Sequence, residues 1–106
     1  MRVRWLRTAL ANLDAEAAYI AKDDPAAAGR VVHRILRAVG LLKKNPAMGR
    51  AGRVAGTREL VAADTPYIIP YRVRGDAVEI LRVFHGETPK HRIQPREKPA
   101  LPVATG

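Results

Sequence analysis

YRVRGDAVEILRVFHG, residues 71–86, reads as two strands folded back on each other. Apolar residues alternate on both sides of Gly75-Asp76, and a two-residue turn with glycine first fits the primed turns that match strand twist. That turn sets a register: Arg72 opposes Glu79, Tyr71 opposes Ile80, Ile69 opposes Arg82 and Tyr67 opposes Phe84. Arg72 and Glu79 form an opposite-charge cross-strand pair, contributing a few tenths to about 1 kcal/mol. Arg82 falls in the apolar row with Val78, Ile80 and Phe84. Burying a lone guanidinium is expensive, so such an arginine either meets a carboxylate or lines a cleft that holds an anion. Pro70 has no N–H to give a neighbour, which points to an unpaired stretch or a bulge in its strand.

Working outward, TRELVAA (57–63) reads as a further strand, and the loop DTP leads into the hairpin arms 66–74 and 77–85. The upstream half is helical. In TALANLDAEAAYIAKD, the residues Leu10, Leu13, Ala17 and Ile20 recur at spacings of three and four, with Thr8 as the expected N-cap. Asp24-Pro25 restarts the chain, aspartate as N-cap and proline in the first helical position. Ala28, Val32, Ile35, Val39 and Leu42 mark the buried face of this second helix. Lys43 and Lys44 fall in its last turn, and Asn45-Pro46 ends it. RVRWL (2–6) alternates as a short first strand, and residues 47–56 form a glycine-rich basic loop. The order is β-α-α-β-β-β. This is an α+β fold, with a helical hairpin packed on one face of an antiparallel sheet.

A chain of 106 residues suits one domain with a two-layer core. A net charge of +9 favours a polyanionic or acidic partner. Aromatics make up only 5% of residues, which argues against a stacking platform for single-stranded nucleic acid. The absence of cysteine suits a reducing cytosol and removes thiolate chemistry. The absence of serine removes a serine nucleophile. No apolar run approaches a membrane span, and the N-terminus lacks a signal-peptide pattern. No phosphate-loop motif and no metal-ligand spacing occurs, so neither cofactor nor metal is expected.

The residues with chemical potential gather late in the chain. His85 ends the hairpin, and an imidazole can act as an acid or a base. If the strand bearing Arg58 lies beside the hairpin, Arg58 and Arg82 converge. Two guanidiniums and a histidine could then stabilise the transition state of RNA cleavage, or equally bind acidic side chains on a protein.

Taken in order, LDAEAAYIAKDDP, LLKKNPAMGR, GTRELV, PYIIPYRV and ILRVFHG resemble the ParE/RelE superfamily of toxins from bacterial type II toxin–antitoxin modules. The resemblance covers residues 1–87 and leaves 88–106 as a proline-rich basic tail, expected to be disordered. It implies the fold derived above and a cognate antitoxin. The antitoxin would use the outer side of the first helix (Asn12, Glu16, Tyr19) and the basic face of the second (Arg30, Arg34, Arg37). RelE-like members cleave mRNA in the ribosomal A site, whereas ParE-like members inhibit DNA gyrase. Arg58, Arg82 and His85 match family positions and would be catalytic in a ribonuclease. No aromatic follows His85-Gly86, and Tyr67 and Tyr71 read as core. The resemblance therefore favours a cytoplasmic gyrase inhibitor held silent by its antitoxin, reaching operator DNA only through that antitoxin. The alternatives are a ribosome-dependent mRNA endonuclease and a non-toxic basic nucleic-acid-binding module.

Overall fold

The computed structural model describes residues 1–86; the expected tail 88–106 lies outside the described residues. The elements run β1 (Arg2–Trp5), α1 (Arg7–Ala21), α2 (Pro25–Leu41), β2 (Arg50–Ala51), β3 (Arg58–Val61), β4 (Tyr67–Arg74), β5 (Ala77–Ile80) and β6 (Phe84–His85). The sheet order is β1-β5-β4-β3-β2, with β6 also paired to β4. The neighbours are antiparallel except β1 and β5, which run parallel. A parallel pair needs a long crossover, and here both helices and three strands intervene.

β1 runs straight into α1. Leu6 donates its N–H to the Ile80 carbonyl at 3.0 Å and occupies the N-cap position with no capping side chain. Thr8, expected as the cap, lies inside the helix, because this strand anchor starts the helix earlier. The same anchor sets the helix rotation. Ala9 and Leu13 turn inward, whereas Leu10, expected in the core, is 47% exposed. α2 begins as read, with Asp24 accepting from the Ala27 N–H at 3.1 Å and proline in the first turn. It ends at Leu41, so Lys43 and Lys44 sit in the turn beyond it, where Lys44 and Asn45 return their N–H groups to Leu41.

Ile35 and Val39 from α2, and Leu42 at its C-cap, pack with Leu60, Ile69, Tyr71, Val78 and Ile80 from one face of the sheet. Tyr71 is fully buried beneath the loop that leaves α2. Its hydroxyl donates to the Pro46 carbonyl at 2.6 Å and accepts from the Gly49 N–H at 2.9 Å. A Cβ on Gly49 would stand 2.7 Å from the Tyr71 ring, which explains a glycine there.

The hairpin turns at Gly75, whose φ of 61° suits the first position of a II′ turn. Arg72 opposes Glu79 and Tyr71 opposes Ile80, as the turn dictates. Beyond Pro70 the register slips by one residue: Ile68 faces Phe84 and Tyr67 faces His85. The expected pairs Ile69–Arg82 and Tyr67–Phe84 do not form. The expected strand 77–85 is split into β5 and β6, with an extra residue accommodated between them.

Among the described residues no helix is long and apolar enough to cross a membrane.

Candidate functional site

The slip moves Arg82. Val83 takes the buried place that an even register would give the arginine, at 2% exposure. Arg82 is exposed on the other face of the sheet, away from the helices, with its guanidinium 5.4 Å from the Phe84 ring. Arg53 approaches the same ring at 5.5 Å. Such contacts contribute about 0.5–1 kcal/mol each at exposed sites. Phe84 thereby becomes a platform that two cations approach.

Around this platform lies an open cavity of about 600 Å³, lined by Arg53, Thr57, Glu59, Pro70, Arg82 and His85 among others. Glu59 is 6% exposed. It is compensated by Arg50 at 3.3 Å, by the Arg53 backbone N–H at 3.3 Å and by Arg53 Nε at 3.6 Å. Arg82 makes no ion pair among the described residues. It is placed to receive a phosphate or a carboxylate from outside. His85 is half-buried, its ring edge-on to Tyr67 with centroids 5.3 Å apart.

Arg58 does not join them. It pairs with Tyr71 across β3 and β4, so its side chain starts on the helix-facing side. There its Nη1 donates to the carbonyls of Gly49 at 2.8 Å and Ala47 at 3.2 Å. Arg58 clamps the loop after α2, while Arg82 lines the cavity on the other face; His85 also borders that cavity, but it pairs with Tyr67, so its ring starts on the helix-facing side.

The first helix also departs from expectation. Asn12 and Glu16 face the sheet rather than outward. Asn12 Oδ1 accepts from the Val83 N–H at 3.1 Å, and Glu16 Oε1 accepts from the Tyr67 hydroxyl at 2.9 Å. Burial, and then the carboxylate that accepts its proton, pushes the Tyr67 hydroxyl well above the usual tyrosine range. Tyr19 is 69% exposed. Arg30 lies 3.9 Å from Asp24. Arg34 donates to the Asp64 carbonyl at 3.5 Å. Arg34 and Arg37, with His33, edge a second cavity of about 400 Å³ between α2 and β3, where Leu41, Met48 and Val61 are exposed.

Nothing in the sequence pattern alone marks Glu59, Arg53 and Phe84 as parts of a site. The alternation of TRELVAA puts Glu59 opposite Leu60's side, but only the β2–β3 pairing reveals that Arg50 and Arg53 close over it. Among the described residues no cluster of three His, Cys, Asp or Glu could hold a metal ion.

Residues 3–89 match the family described as the ParE toxin of the type II toxin–antitoxin system parDE. The toxin candidate Y4kP of Sinorhizobium fredii is 61% identical over 84 residues, spanning 79% of this chain and 86% of that protein. Toxin RelE2 of Caulobacter vibrioides is 39% identical over 84 residues, spanning 79% and 93%. A solved structure from the chromosomal ParDE system of P. aeruginosa superposes with a TM-score of 0.72 at 34% identity, covering 80% of this chain and 95% of that one.

Proposed function

This chain belongs to the ParE toxin family of type II toxin–antitoxin systems, and we propose that it acts as a DNA gyrase inhibitor neutralised by its cognate antitoxin. The observation that carries this reading is the separation of Arg58 from Arg82. A ribonuclease site built on those two guanidiniums needs them around one scissile phosphate. Here Arg58 is occupied by two loop carbonyls on the helix-facing side. A protein inhibitor needs only surfaces, and these remain.

For the antitoxin, the groove between α2 and β3 offers an apolar floor (Leu41, Met48, Val61) with Arg34 and Arg37 at its rim. An amphipathic segment with acidic residues fits that chemistry, and Arg30 lies one helical turn before Arg34 on α2. Arg34→Glu with Arg37→Glu should abolish rescue by the antitoxin while toxicity persists.

The deciding experiment is a supercoiling assay with the purified, antitoxin-free full chain and DNA gyrase. Loss of supercoiling, or trapped cleaved DNA, is the expected result. An unaffected gyrase at large excess of toxic protein would sink the reading. A second reading, a ribosome-dependent mRNA endonuclease, is favoured by one observation: Arg82 and His85 line the same cavity. It requires mRNA cleavage on programmed ribosomes that Arg82→Ala and His85→Ala abolish.

A further inference from the structure

The sheet face turned away from the helices is covered by arginine. Alternation and pairing put Arg2 and Arg4 of β1 on the face of Ala77 and Glu79, with Arg72 and Arg74 of β4 beside them. Arg50 joins across β2 and β3, and Arg53 and Arg82 meet over Phe84. These seven arginines face three carboxylates, Glu59, Glu79 and Asp76. Two of the three are buried, and they fix the arginines rather than projecting among them. Glu79 holds Arg72 at 2.7 Å and Arg4 at 3.8 Å, and Glu59 holds Arg50 and Arg53. Arg74 and Arg82 are exposed and make no ion pair among the described residues.

We propose that this arginine face binds the phosphate backbone of duplex DNA, independently of whether gyrase is the toxin's target. Five adjacent strands at about 4.8 Å spacing make a platform roughly 19 Å across, a rigid array of positive charge. The ligand it complements is one with regularly spaced negative charge, as on a duplex. Single strands are bound through bases stacked on open aromatic rings. Among the described residues the aromatic ring of this face is Phe84, which is only partly exposed and is approached by both neighbouring guanidiniums. Among the described residues this face presents arginines set by strand spacing, which suits backbone phosphates rather than base edges, so binding should be sequence-indifferent. Any operator specificity is left to the antitoxin.

The test is fluorescence anisotropy of the full chain with a labelled duplex of arbitrary sequence, titrated at several salt concentrations. Each phosphate neutralised contributes a slope of about −0.9 to log affinity against log salt. With about four such contacts, affinity should fall about a hundredfold between roughly 50 and 200 mM salt. Arg74→Gln with Arg82→Gln should weaken binding on every duplex and reduce the slope by about two. Lys43→Gln with Lys44→Gln removes the same charge from the turn beyond α2 and should leave the slope unchanged. Thermal melts of both double variants keep folding out of the comparison. Equal losses from the two pairs would reduce the effect to net charge and overturn the site. Tighter binding to single-stranded RNA of equal length would overturn the duplex assignment. So would face variants that keep duplex binding but lose the antitoxin, which would make this a protein interface.

Discussion

Leu81 donates its N–H to the Pro70 carbonyl at 2.9 Å, and this is the last bond of the hairpin's first register. Pro70 has no N–H with which to return it. The ladder cannot close there, and three residues separate Ile80 from Phe84 where only two separate Tyr71 from Ile68. One unanswerable carbonyl–amide pair thus inverts everything downstream. Val83 goes in, Arg82 goes out, and a buried-charge problem becomes an exposed cation beside Phe84.

The inversion makes neighbouring residues behave oppositely. Arg82→Ala should change stability by less than about 0.5 kcal/mol, as exposed substitutions usually do. Val83→Ala removes two buried methyls and should cost about 1.5–3 kcal/mol. Paired thermal or urea melts give the comparison. An Arg82→Ala loss as large as that of Val83→Ala would return the arginine to the core.

Arg58 and Gly49 predict a different pattern, because both serve the loop after α2. Arg58→Ala removes two hydrogen bonds to loop carbonyls and should cost about 1 kcal/mol or more. Gly49→Ala drives a Cβ against the Tyr71 ring and the Glu59 carbonyl and should cost about 1–3 kcal/mol. Neither should abolish growth arrest at a temperature where the variant stays folded. Loss of toxicity by a fully folded Arg58→Ala would restore Arg58 to the functional site.

These residues also show how far the sequence carried. The helical hairpin, its Asp24-Pro25 start and the Arg72–Glu79 pairing were legible because each depends on neighbours in sequence or on one turn. Pro70 announced an irregularity but not which strand would absorb the extra residue, since that is set by packing Val83 under Asn12 and Tyr67. The inward turn of Asn12 and Glu16 was hidden for a similar reason. Helical spacing gives a face, and only the β1–β5 anchor fixes which way that face points. Glu59's burial is invisible in the strand pattern because its arginines come from β2 and the loop beyond it, whose path no periodicity encodes.

Tyr67 gives a prediction at alkaline pH. Its folded-state pKa is raised, first by burial and then by the Glu16 acceptor. The unfolded chain therefore releases this proton at lower pH than the folded one. The contribution is fully present below about pH 10 and declines as pH rises above that value. Tyr67→Phe should cost about 1–2 kcal/mol near neutrality, since Glu16 loses its donor. The gap to wild type should narrow between about pH 10 and 12. Stability curves over that range check the sign, and a gap that widens would contradict it.

Glu79 gives the opposite prediction at acid pH. The hydrogen bond from Arg72 is the main cause that holds its carboxyl below the usual 4.5, with Arg72, Arg74 and Arg4 adding their charge against the opposing effect of burial. A depressed folded-state pKa stabilises above the unfolded value, and the contribution disappears as pH falls through the folded value. Glu79→Gln should melt below wild type at pH 7 and approach it at about pH 3. It also leaves Arg72 and Arg4 without their counter-charge in the middle of the arginine face. Duplex binding should therefore tighten as stability drops, and the salt slope should steepen by up to about one. Stability and DNA affinity moving in opposite directions from a single substitution would separate a site-organising carboxylate from one that serves the fold alone.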